Sequence, residues 1–240
     1  MISRRTPRCA TPLRNPKAIA VPVPPGATTT ALVYGAEGDP VGAALILGHG
    51  AGSGQQSPWI VTFASTLSAL GLDIITFNFL YTEQRRGLPD RRPLLEICYR
   101  AVIDASRQEV ESARRCLVIG GKSMGGRIAT QVAAADPELE LNGLVLLGYP
   151  LHPPGRPAER RDAHLPAVGR PMLFVQGSRD AFGTPSELAP VLAPLTPPAT
   201  LHIVEGGDHS FKVGGKDPAR QTAVYEDVRR TIVKWIKESW

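Results

Sequence analysis

Gly121-Lys122-Ser123-Met124-Gly125 places a serine between two glycines, directly after the apolar run Cys116 to Ile119 and before Ile128 to Ala134. A glycine-rich turn between strand and helix can aim backbone N–H groups at a phosphate or hold one side chain exposed as a nucleophile. Spacing rejects the first. A phosphate loop G-x-x-x-x-G-K-[ST] needs glycine where Cys116 stands, and residues 116–119 read as strand, leaving no loop to wrap an anion. The second fits as G-x-S-x-G, with glycines at 121 and 125 sparing a strained turn the Cβ atoms that would crowd the strand and helix, and Gly126 easing it further.

A serine hydroxyl is a weak nucleophile near neutral pH, so it needs a base, and the base needs an orienting acid. The base is expected at His209, in Glu205-Gly206-Gly207-Asp208-His209-Ser210-Phe211, and the acid at Asp180, in Gly177-Ser178-Arg179-Asp180; each segment follows an apolar run. Asp180 could instead be a turn residue capping residues 177–184. Asp208 is a poor rival as the acid, because its neighbour's imidazole would have to turn back on it. It reads as a loop-stabilising residue. Two N–H donors should face the oxyanion: Met124 by position, and Ala51, with Gly52 second, in the small-residue loop Gly48 to Gly54. His49 in that loop reads as a turn-holding residue rather than a proton carrier. Gly50, Gly52, Lys122 and Tyr81 are the expected substrate contacts. Arg127, in a first helical turn where a positive charge opposes the helix dipole, calls for a structural carboxylate or a substrate anion.

The elements that must position these groups are legible as apolar runs alternating with segments of helical period, the pattern of a parallel sheet wrapped by helices. The runs are Ala43 to Leu47, Asp73 to Phe79, Cys116 to Ile119, Leu144 to Leu147, Met172 to Gln176 and Thr200 to Val204. Helices are expected over 60–70, 94–114, 125–135, 186–195 and 219–237. Thr29 to Tyr34, with the turn Gly35 to Pro40 after it, reads as an antiparallel hairpin leading into the sheet. In such a sheet ligands bind at the carboxyl ends of the strands, which is where Ser123, Asp180 and His209 fall, in the chain order serine, acid, histidine.

On GKSMG, GSRD, GGDHSF and LGHGAGSG, residues 28–238 resemble the alpha/beta-hydrolase superfamily, and look most like its small, lidless, dienelactone-hydrolase-like branch. GGKSMGGR is similar to a group that includes a hydrolase-like subunit of the NSL chromatin complex. The resemblance implies an alpha/beta-hydrolase fold, a mostly parallel sheet with helices on both faces and no large cap domain. One departure is Leu80 before Tyr81, where that group carries a proline; it bears on the pocket wall. The short, proline- and arginine-rich connection Leu151 to Arg170 stands where larger relatives insert a cap, and implies an open site.

A chain of 240 residues with 42% hydrophobic residues can bury one core, so a single domain is expected over residues 26–240. Residues 1–25 hold Arg4, Arg5, Arg8, Arg14 and Lys17, no acid and many prolines, and read as a basic arm, mobile or laid down as a strap. Taken from the chain's 27 Lys and Arg, those five leave 22 against 22 Asp and Glu, so the body is neutral and offers nothing to nucleic acid. Arg85, Arg86, Arg91 and Arg92 read as a solvated loop rather than an anion-binding rim. No signal-peptide core or run of 18 apolar residues is present, so a cytoplasmic protein without membrane contact is expected. Cys9, Cys98 and Cys116 form no C-x-x-C pair, and the five histidines have no zinc spacing, so no metal or cofactor is expected. The reading is a serine hydrolase acting on a small acyl ester or thioester. Its rivals are an interaction module on the same scaffold, and peptidase or acyltransferase chemistry on the same residues.

Overall fold

The computed structural model describes residues 15–215 and 217–239. Its centre is an eight-stranded sheet of β1 (Lys17–Val23), β2 (Ala27–Tyr34), β3 (Ala44–Gly48), β4 (Asp73–Phe77), β5 (Leu117–Lys122), β6 (Gly143–Leu147), β7 (Met172–Gly177) and β8 (Thr200–Val204). The order across the sheet is β1-β2-β4-β3-β5-β6-β7-β8, with β3 to β8 parallel and β1 and β2 antiparallel. Strands β3, β5, β6 and β7 are buried along their whole length. That is why they read as continuous apolar runs: both faces are covered by helices.

Alternate side chains feed two cores. Leu45 and Leu47 of β3 pack with α1 (Pro58–Ala69) and α7 (Pro218–Glu238), through Phe63, Leu67, Val228 and Ile232. Ile46 points the other way, into a core with α3 (Arg92–Glu109) and α5 (Met124–Ala135), through Tyr99, Val102, Ile128 and Val132. The α/β architecture expected from the sequence is the one observed. Between β6 and β7 the only regular element is the 3-10 turn Leu165–Ala167, so no cap domain is inserted in that connection.

Three expectations are corrected. Lys17–Val23, assigned to the basic arm, is the edge strand β1, paired with β2 from Lys17↔Val33 to Val23↔Ala27. Its prolines concealed alternating Ile19, Val21 and Val23, all buried, and an edge strand tolerates Pro22 because that position need not donate to a partner. The hairpin therefore precedes residue 34 instead of following it. The rest of the arm, residues 1–14 with Arg4, Arg5, Arg8, Cys9 and Arg14, lies outside the described residues.

The helix expected over 94–114 is two helices, α3 and α4 (Glu111–Arg115), broken at Val110 in extended backbone. Arg114 donates to the carbonyls of Arg107 (2.8 Å) and Gln108 (3.0 Å), satisfying the end of α3 and fixing the break. Finally, the strand expected to run to Phe79 ends at Phe77, and it is followed by the short helix α2 (Leu80–Glu83), an element not expected from the sequence, braced by Asp90, which accepts from Tyr81 N–H at 3.0 Å and pairs with Arg86 at 2.6 Å. The last helix before β8 is α6 (Pro185–Leu192), opened by a capping box between Thr184 and Glu187.

Candidate active site

Ser123 sits between β5 and α5 at φ 52, ψ −115, a conformation that an L-residue holds only when its surroundings impose it. The imposition comes from glycine. A Cβ at Gly121 or at Gly125 would run into the Gly48 carbonyl at the end of β3, so the turn closes only because both positions are bare. Ser123 N–H donates to Leu147 O (2.9 Å), tying the elbow to β6.

His209, in the loop after β8, places Nε2 2.8 Å from Ser123 Oγ and Nδ1 2.8 and 3.0 Å from the two Asp180 carboxylate oxygens. Three segments distant in the chain thus form one hydrogen-bonded series. Asp180 is 1% exposed and is held from two further sides: Gln176 Nε2 donates to Oδ2 and Phe182 N–H to Oδ1, each at 2.8 Å. Phe182 also stacks on the His209 ring, with centroids 4.2 Å apart. Neither Gln176 nor Phe182 was found by sequence reasoning. The only signal for Gln176 is an amide at the end of the apolar run Met172 to Gln176; Phe182 gives none.

Asp208 is the loop staple expected of it, its Oδ1 accepting from Ser210 N–H (2.8 Å) and Lys212 N–H (2.9 Å). His49 is fully buried; Phe79 N–H donates to its Nε2 (3.2 Å), so Nδ1 carries the proton and donates to Gly50 O (2.8 Å). Burial pushes its pKa down to about 4, against a smaller upward pull from that carbonyl, so it holds the loop as a neutral ring.

A cleft of about 660 Å³ opens over Ser123, with Gly50, Ala51, Lys122 and Met124 in its lining. Gly52 and Tyr81, also expected to touch substrate, do not line it. Gly52 occupies an exposed turn at φ +69, and Tyr81 is 1% exposed, its ring packed behind the loop against Phe79 and His49. Lys122 is buried beside the series of three. Its Nζ approaches Gly148, where a Cβ would stand 3.2 Å from Nζ and 3.3 Å from His209 Nδ1. Burial pushes this lysine down to about 8, opposed by the charges of Asp180 and Asp208. Arg127 has no carboxylate partner among the described residues, so the structural ion pair expected of it is not observed; its Nε is buried without a hydrogen bond. Cys98 and Cys116 are free and buried, and burial pushes both thiols up to about 12, far from reactivity.

The fold recurs widely in solved structures. A serine hydrolase homologue from Coxiella burnetii superposes at a TM-score of 0.71 with 18% identity, covering 93% of this chain and 99% of that one. Dienelactone hydrolase from Anabaena variabilis gives 0.68 and 22%, covering 90% and 97%, and a serine hydrolase without a lid from Xanthomonas campestris 0.67 and 23%, covering 92% and 98%. At these identities the likeness concerns fold. The family assignment rests on sequence: residues 41–237 match the family described as "Alpha/beta hydrolase domain", a span that takes in the elbow, the loop after β7 and the loop after β8. With that match covering most of its length, the chain belongs to the alpha/beta hydrolase family.

Proposed function

We propose that the protein is a serine hydrolase that cleaves a carboxylic ester or thioester through an acyl-enzyme. Ser123 Oγ attacks the carbonyl carbon while His209 Nε2 takes its proton; the C–O or C–S bond to the leaving group then breaks and that proton goes to the departing atom. Water, deprotonated by His209 in turn, attacks the acyl-serine and releases the acid and free Ser123. Asp180 holds the imidazole in the tautomer that presents an unprotonated Nε2 and stabilises the imidazolium as it forms. The oxyanion is met by Met124 N–H, which at the start of α5 has no intrahelical acceptor, and by Ala51 N–H across the cleft.

The observation that carries this reading is the unbroken series Ser123–His209–Asp180 at 2.8 Å per link. The absence of a cap domain between β6 and β7 supports small or extended acyl substrates, and the substrate is taken to be a small molecule handled without a cofactor. The test is a fluorophosphonate probe: mass gain is expected on Ser123 of the native protein and none on Ser123→Ala. Esters of rising acyl length should then be hydrolysed, with at least about a thousandfold loss of kcat in Ser123→Ala. A native protein that takes no label is a binding scaffold rather than a hydrolase.

A further inference from the structure

One wall of the cleft carries more positive charge than the described residues neutralise. Arg127 lies one helical turn beyond Ser123 in α5 and lines the cleft, with its buried Nε lacking any hydrogen-bond partner. Arg161, from the connection between β6 and β7, lines the same wall. Its backbone is pinned on both sides: its N–H donates to Leu151 O (2.8 Å), and its carbonyl accepts from Tyr149 O–H (2.6 Å). Among the described residues neither guanidinium has an ion-pair partner.

The acids nearby are already engaged. Glu96 pairs with Arg92 at 3.2 Å, and Asp90 pairs with Arg86. The arginines sense one another: burial first, then the charges of Arg161 and Arg92, lowers the pKa of Arg127, against upward pulls from Tyr149 and Glu96 that do not offset them. Those of Arg127 and Arg92 join burial in pushing His164 down to about 4, so this histidine adds no charge to the wall. Holding like charges together in a partly desolvated wall costs free energy, as does placing one at a helix start, and a counter-anion relieves both costs.

We propose that the substrate carries an anionic group, a carboxylate or phosphate, which Arg127 and Arg161 hold while Ser123 acts on its ester. This deepens the hydrolase reading and rests on it. The guanidinium fork matches the planar or tetrahedral oxyanion in two parallel hydrogen bonds, which a lysine cannot reproduce. Trp59 and Ile60, also in the lining, leave apolar room for the rest of the molecule.

The test is kcat/KM on matched esters. In one series the acyl chain ends in a carboxylate, as in the 4-nitrophenyl monoester of glutaric acid, in a phosphonate, or in a methyl group. In another the leaving group is 4-hydroxybenzoate or its methyl ester. The native protein should favour an anionic member over its neutral match by about tenfold or more, mainly through KM, and the favoured series says which anion and which side of the ester is read. Arg127→Gln and Arg161→Gln should bring that ratio near one, Arg127→Lys should keep part of it, and Arg115→Gln, exposed on α4, should leave it intact.

A native ratio near one in every series, or one that survives both glutamine substitutions, overturns the proposal. If no ester is hydrolysed, calorimetry on Ser123→Ala with glutarate and with inorganic phosphate decides it. Heat that disappears in Ser123→Ala/Arg127→Gln supports the anion site independently of catalysis; no heat with either anion overturns it.

Discussion

Gln176 has no reactive chemistry, yet its carboxamide ties three segments together. It donates to Asp180 Oδ2 and to Gly183 O (2.7 Å) and accepts from Tyr149 N–H (2.8 Å), all in a fully buried setting. Replacing it with leucine removes a donor from a buried carboxylate and orphans a buried N–H, each worth about 1–3 kcal/mol. Gln176→Leu should therefore unfold at lower urea and label with fluorophosphonate about tenfold or more slower, while KM for small esters changes little. A variant that labels at the native rate would show that Asp180 needs no such brace. Lys122 makes a different prediction. Its pKa is near 8 in the fold and 10.5 when free, so between those values the unfolded chain binds more protons and stability rises with pH. Below about 8 the penalty for the buried charge is present in full. Lys122→Met should stabilise the protein at pH 7 by up to about 3 kcal/mol, a gain that shrinks through pH 8 to 10.5. Urea denaturation at both ends of that range checks it, and an equal gain at each would rule out the buried charge as the cause.

The elbow is a contact between elements rather than a property of its loop. Gly125→Ala would push a methyl group into the Gly48 carbonyl, forcing α5 and β3 apart, at a cost of about 3 kcal/mol or more. Gly87→Ala meets nothing within 4 Å and should change stability by under about 0.5 kcal/mol. Thermal melts of the pair separate steric closure from a general intolerance of lost glycine. The same contrast explains what the sequence discloses. Ser123, Asp180 and His209 are legible because each follows an apolar run that becomes a parallel strand, and such strands deliver their following loops to one edge. Gln176 and Phe182 are hidden because each also needs a partner distant in the chain: an amide ending an apolar run looks like a terminator until Tyr149 is beside it, and Phe182 gains its stacking role only when His209 arrives. Tyr81 misleads for the reverse reason. Its place after the strand end suggests the cleft, but the turn into α2 carries it behind the oxyanion loop, into an aromatic cluster.

At the scale of the whole molecule, the basic arm and the fold meet at β1. Residues 17–23 look dispensable because Pro22, Pro24 and Pro25 interrupt the sequence, yet Ile19, Val21 and Val23 are 8%, 0% and 1% exposed. At about 1.5–3 kcal/mol for each such side chain, the strand supplies about 5 kcal/mol or more, against a total stability of about 5–15 kcal/mol for a domain. The exposed pair Lys17–Glu109, at 2.9 Å, adds at most about 1 kcal/mol, so the strand's worth lies in its apolar face. Deleting residues 1–25 would also leave β2 as an open edge with unpaired backbone, a template for association. A chain starting at residue 26 should therefore melt well below the full protein and run as aggregates on size exclusion, whereas one starting at residue 15 keeps every β1–β2 pair. Equal melting temperatures for the full chain and the chain from residue 26 would return these residues to the arm in which their prolines seemed to place them.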